Sequence, residues 1–148
     1  MSLKERIQDD MKAAMRAQDK ARLAAIRLIM AAIKQREVDE RITLDDAQVT
    51  AVLERMLKQR RESIAQFERA GRDDLVAKET FELDIVQAYM PEALSEAEIE
   101  ALIDSAIAAT GAQSMRDMGK AMAYVKEHAQ GRADMSAVSA RLKSRLAG

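Results

Sequence analysis

The chain has 148 residues, 48% of them apolar, with no cysteine, one proline, one histidine and a net charge of −1. That length and apolar content supply a core without a covalent staple, while disulfides, thiolate catalysis and zinc–thiolate sites are excluded. The near-neutral charge excludes a polycation, and no apolar run reaches the roughly 18 residues of a membrane span, so no membrane partner is expected.

Ala, Leu, Met, Glu, Lys, Arg and Gln dominate, glycines number 5 and aromatics make up 3%, a composition that predicts an all-α protein. The first segment, MSLKERIQDDMKAAM, lacks a signal-type apolar stretch and is read as part of the fold. With no cysteine and no span, a cytoplasmic location is the expectation. Ser2 and Glu5 form a capping box for the first helix, and Gln18-Asp19 breaks it from a second whose stripe is Leu23, Ile26, Ile29, Met30 and Ile33. Thr43 with Asp46 is the expected start of a third helix ending at Gly71. A fourth starts near Asp73 and must end by Tyr89, because Pro91 disfavours helical geometry at Met90.

Pro91 sets a boundary between domains 1–90 and 91–148. Beyond it, Ser95 and Glu98 cap a helix with Ile99, Leu102, Ile103, Ala106 and Ile107 on one face, closed by Gly111. Ser114 opens the next, with Met115, Met118, Met122 and Val125 expected inward. Asp134 caps the last, whose stripe is Met135, Val138, Leu142 and Leu146. The expected architecture is therefore an amino-terminal helical hairpin module followed by a three-helix module.

Charge is distributed unevenly in this second module. Residues 89–115 hold five acidic and no basic residues, whereas residues 116–148 hold seven basic and three acidic ones. One reading is dipole complementation, with Glu96, Glu98 and Glu100 at one helix start and Arg141, Lys143 and Arg145 at another helix end. The other is a basic face for phosphates, built from Arg116, Lys120, Arg132, Arg141 and Arg145. At about 100° per residue, Arg116 and Lys120 point away from the methionine stripe, and Asp117 is placed to neutralise Lys120. Gly119 costs about 1 kcal/mol in mid-helix relative to alanine, which suggests a close approach there by another helix or by an RNA backbone.

Catalytic signatures are missing. Gly119-Lys120 is no phosphate-binding loop, because Ser114 stands where that pattern needs glycine and Ala121 where it needs Ser or Thr. His128 is the sole histidine and falls in the last turn of its helix, where partial positive charge is favourable. No transition-metal ligand set can be assembled, and no cofactor is expected.

One constellation in the first domain breaks the pattern. Arg60 falls within the stripe of Val49, Val52, Leu53, Met56, Leu57, Ile64 and Phe67, while Glu79 and Glu82 fall within that of Leu75, Leu83, Ile85, Val86 and Tyr89. Arg60 lies eleven residues before Gly71 and Glu82 eleven after it, so a hairpin turn there brings them together. A charge in such a stripe is tolerated when paired, and arginine can bind a carboxylate by two parallel hydrogen bonds. A structural ion pair that fixes the hairpin register and a ligand-binding charge cluster are both compatible with this spacing.

The ordered set Tyr89-x-Pro91, Leu94-Ser95, Asp117-Met118-Gly119-Lys120 and Gly131-x-Ala133-Asp134 resembles the tail module of the GatB/YqeY family. IRLIMAAIKQREVD and KQRRESIAQFERAGRDDLVAKE extend the resemblance over nearly the whole chain. It implies two helical modules, the second similar to the tail of the tRNA-dependent amidotransferase B subunit, which contacts tRNA. Free-standing members are grouped with carbon–nitrogen ligases that use glutamine as amido donor. This chain lacks room for the kinase-like catalytic domain and has no thiol or serine–lysine amidase arrangement. The expectation is thus a non-catalytic tRNA-associated adaptor, with tRNA or an amidotransferase-like or tRNA-processing protein as partner. An accessory ligase subunit and a protein-binding scaffold are the alternatives.

Overall fold

The computed structural model describes residues 1–129 and 131–147. These form seven α-helices and one 3₁₀ turn, with no strand among the described residues. The helices are α1 (Leu3–Arg16), α2 (Lys20–Glu40), α3 (Asp46–Arg69), α4 (Asp73–Gln87), α5 (Glu96–Thr110), α6 (Met118–Ala129) and α7 (Met135–Ala147), with the 3₁₀ turn at Met115–Asp117 before α6. The chain divides into two compact units, Met1–Met90 and Pro91–Gly148.

Local chemistry accounts for most of the helix ends. Ser2 with Glu5 and Ser95 with Glu98 make reciprocal capping boxes, and Gly111 closes α5 at φ 65°, a left-handed conformation that glycine adopts without a Cβ clash. The start of α3 differs from expectation. Asp45, not Thr43, is its N-cap, exchanging hydrogen bonds with Gln48, while the Asp46 carboxylate accepts from the Leu3 N–H at 2.9 Å and ties α1 to α3.

In the first unit α1 packs on α2, and the short connection at 70–72 folds α4 back onto α3. Ile7, Ile26, Ile29, Ile33, Val49, Leu53 and Val86 are buried at its centre. Tyr89 belongs to this core. Its hydroxyl donates to Asp10 at 2.6 Å, and the Arg6 guanidinium lies 5.1 Å from its ring centroid. Burial, reinforced by Asp10, raises the phenol to about 12. A folded value above the unfolded value of 10.0 means that this group's stabilisation is intact below pH 10 and is lost as pH climbs towards 12. Tyr89→Phe should cost about 1–2 kcal/mol at neutral pH and remove that alkaline component. Denaturant titrations at pH 9 and pH 11 check this, and an unchanged alkaline slope in the variant would refute the assignment.

The second unit encloses a smaller core of Ile103, Ala106, Ala121, Val125, Val138 and Leu142, contributed by α5, α6 and α7. Met115, expected inward, is 41% exposed. The reason is local: Ser114 caps a 3₁₀ turn, whose tighter winding rotates Met115 out of the register of the α-helical stripe that begins at Met118.

Candidate nucleic-acid interface

The 3₁₀ turn is built by polar capping. The Ser114 hydroxyl accepts from the Arg116 N–H, and Asp117 Oδ2 accepts from the Gln113 N–H at 2.9 Å. The Gln113 and Ser114 N–H groups, with the nearby Lys120 charge, hold the Asp117 carboxyl below its ordinary range. The turn carries Arg116, and the first turn of α6 carries Lys120. Both are exposed, and neither side chain makes an ion pair or hydrogen bond among the described residues, although Lys120 is within electrostatic reach of Asp117.

Gly119 lies beside them, exposed, and a Cβ built on it meets nothing within 4 Å. The close approach by another helix, one of the two expected explanations for this glycine, is therefore not found. The backbone at Gly119 is bare on the solvent side.

At spacings of four residues, Lys120, Tyr124 and His128 run in one column along α6, and Arg116 lies in the 3₁₀ turn just before it. The Tyr124 and His128 rings are stacked, with centroids 4.0 Å apart and planes 19° from parallel. His128 Nδ1 lies 2.8 Å from the Tyr124 carbonyl oxygen. Since a carbonyl only accepts, Nδ1 carries the proton of that bond and the ring is pinned. Tyr124 packs partly against the unit's core, whereas His128 is exposed. Composition concealed this feature: two aromatic rings at i and i+4 matter by position, and the spacing from Lys120 was the available signal.

The other three residues expected on the basic surface are engaged elsewhere. Arg132 Nε donates to the Glu92 carbonyl at 2.9 Å, and the Arg132 carbonyl accepts from the Leu94 N–H at 2.7 Å, which ties the entry segment to the α6–α7 connection. Arg141 pairs with Glu96 at 2.7 Å and also with Glu100, and Arg145 pairs with Asp104 at 2.6 Å. The acidic face of α5 thus neutralises the basic face of α7. The expected five-residue cationic surface contracts to Arg116 and Lys120, because packing places opposite charges from α5 and α7 side by side.

In the first unit, Arg60 Nε lies 3.0 Å from Glu82 Oε2 and 3.5 Å from Glu79 Oε2. The three side chains keep 19%, 13% and 17% exposure for Arg60, Glu82 and Glu79. This is not the bidentate fork that arginine can form with one carboxylate. Arg60 Nε and Glu79 Oε2 are buried without a directed hydrogen bond, so charge proximity rather than hydrogen-bond geometry holds the cluster. No group of three or more metal-ligating side chains occurs among the described residues.

A family model described as Yqey-like protein matches residues 4–146. Three similar curated proteins carry the name "Altered inheritance of mitochondria protein 41, mitochondrial". The one from Eremothecium gossypii is 42% identical over 85 residues, covering 57% of this chain and 46% of its own length. That from Pyrenophora tritici-repentis is 34% identical over 130 residues, covering 86% and 71%. That from a Saccharomyces cerevisiae strain is 35% identical over 95 residues, covering 64% and 51%. The chain thus spans about half the length of two of these relatives. Their names correct the expected cytoplasmic location, since all three are designated mitochondrial. The absence of cysteine and of a membrane-length helix could not distinguish the cytosol from the interior of an organelle, because neither feature is specific to one compartment.

Proposed function

Because the chain belongs to the YqeY-like protein family, we propose that it is a non-catalytic helical adaptor whose second unit binds RNA of the transfer-RNA type. The observation that carries this reading is the column Lys120, Tyr124 and His128 on α6, with Arg116 in the turn before it. It presents two cations without ion-pair partners and then a stacked ring pair, beside the bare backbone of Gly119. Each part suits a separate component of RNA. Cations contact phosphates and release counterions, the exposed His128 ring, backed by Tyr124, can stack on an unpaired base, and a glycine without a neighbour lets a sugar–phosphate backbone come close. The resemblance of the Asp117–Lys120 and Gly131–Asp134 motifs to the amidotransferase tail supports the same assignment.

Filter binding of total tRNA at two salt concentrations tests it. Arg116→Ala with Lys120→Ala should weaken retention and lower the log–log salt slope by about one unit per lost phosphate contact. His128→Ala should weaken binding by about five- to a hundredfold, the range for loss of one stacked base. Equal retention by parent and double variant, or none at low salt, would defeat the proposal. Recovery of the protein from cells with a stoichiometric amidase or ligase subunit and no RNA would favour the accessory-subunit alternative.

A further inference from the structure

A separate cluster of positive charge lies in the first unit, where the start of α1, the end of α2 and the α2–α3 connection line an open surface depression of about 400 Å³. Lys4, Lys34, Arg41 and Thr43 line it around Glu37, with Val38 and Ile42 beside them. Glu37 is the one carboxylate in this lining, and its charge is already committed. Lys4 Nζ donates to both of its oxygens, at 2.9 and 2.8 Å, and the Leu44 N–H donates to Oε2 at 2.9 Å. Those bonds, the Lys4 ammonium first, hold the Glu37 carboxyl below its usual range and keep it anionic.

Lys34 and Arg41 are exposed and make no hydrogen bond or ion pair among the described residues, although Lys34 acts electrostatically on Glu37. Three cations facing one committed carboxylate leave the lining with two positive charges. The carboxy-terminal end of α2 opposes this with a partial negative charge of roughly one half. That is too small to reverse the sign, and the Arg41 and Ile42 N–H groups already occupy the Glu37 carbonyl there.

The backbone gives a second, independent pointer. Arg41 is the C-cap of α2 at φ 56°, in the left-handed region that glycine or asparagine ordinarily fills at this position. Its capping bond comes from the main chain, so nothing in the cap requires an arginine side chain. Gln18 shares this conformation at φ 57°, but only Arg41 combines it with a place in the lining of the cationic depression.

We propose that this depression binds the phosphomonoester dianion of a small phosphorylated molecule. The phosphoryl group sits between Lys34 and Arg41, the Thr43 hydroxyl is placed to donate to it, and the organic portion lies against the exposed Val38 and Ile42. The two positive charges match the dianion, and the guanidinium fork suits its oxygens. This site is distinct from the RNA-binding reading, because it lies in the other unit and takes a monoester rather than a diester chain.

The test uses the full chain with inorganic phosphate and phenyl phosphate, measured by calorimetry and by ³¹P NMR line broadening, against chloride at matched ionic strength. The parent should bind both, phenyl phosphate more tightly. Arg41→Gly should weaken binding at least tenfold while unfolding at a temperature equal to or above the parent's, since glycine relieves the backbone. Lys34→Ala should weaken binding to a similar extent without changing the fold. Undiminished binding by Arg41→Gly, or a parent response no larger than that to chloride, would overturn the site. Arg41-dependent cosedimentation with phosphatidylcholine vesicles containing phosphatidic acid, together with no response to phenyl phosphate, would overturn the small-molecule source in favour of a lipid headgroup.

Discussion

Replacing Arg60 by leucine should destabilise the first unit by about 2–4 kcal/mol, somewhat less than the 3–5 kcal/mol expected when a fully buried pair loses one partner. The reduction reflects the 13–19% of surface that the three side chains retain. The loss comes from what remains. Glu79 and Glu82 would face each other across one turn of α4 with no cation between them, and Glu79 Oε2 is already buried without a directed hydrogen bond. Replacing Arg60 by leucine and both glutamates by apolar residues should recover most of the stability. Urea denaturation of the single and triple variants decides it. A single variant within about 0.5 kcal/mol of the parent, the range of ordinary surface substitutions, would show that the cluster is solvated and contributes little.

The second large effect concerns the division at Pro91. Leu142 is fully buried, and truncating it to alanine should cost about 2.5–5 kcal/mol through lost transfer energy and the cavity left behind. A unit of under sixty residues with so small a core has little more than that to lose. We therefore expect Leu142→Ala to unfold residues 91–148 at room temperature while the first unit keeps its native amide protection, as read by hydrogen exchange. Limited proteolysis of the parent should cut near Met90–Ala93. Simultaneous loss of protection throughout the chain would mean that the units do not fold independently.

Local features were legible in the sequence where their cause was local. The Ser2–Glu5 and Ser95–Glu98 boxes depend on residues three apart, and the Arg60–Glu82 approach follows from one short turn and two stripes. The start of α3 was misplaced by two residues because Thr43–Asp46 and Asp45–Gln48 offer competing caps, and glutamine at the third position serves as well as glutamate. Met115 was misassigned because a 3₁₀ turn has a different period from the helix it precedes. Two features were out of reach for a further reason. Glu37 is buried by Lys4, thirty-three residues away, and Arg141 and Arg145 are neutralised by α5 residues more than forty positions earlier. A helical wheel places such charges on a face, but only the packing of helices decides whether that face meets solvent or an opposite charge.

The pairing of α7 with α5 bears on the speed of encounter. Residues 91–148 carry seven basic and eight acidic side chains, and the pairs of Arg141 with Glu96 and Glu100 and of Arg145 with Asp104 bring much of that charge together at short range. Beyond a Debye length of about 8–10 Å at physiological salt, this unit presents almost no net field to a polyanion. Long-range steering accelerates association only where a net field exists, so capture at the Arg116–His128 face would proceed at the unsteered rate of about 10⁵–10⁶ M⁻¹s⁻¹. Such a surface selects its ligand through the time spent in contact, and non-specific nucleic acid gains no electrostatic advantage in reaching it first.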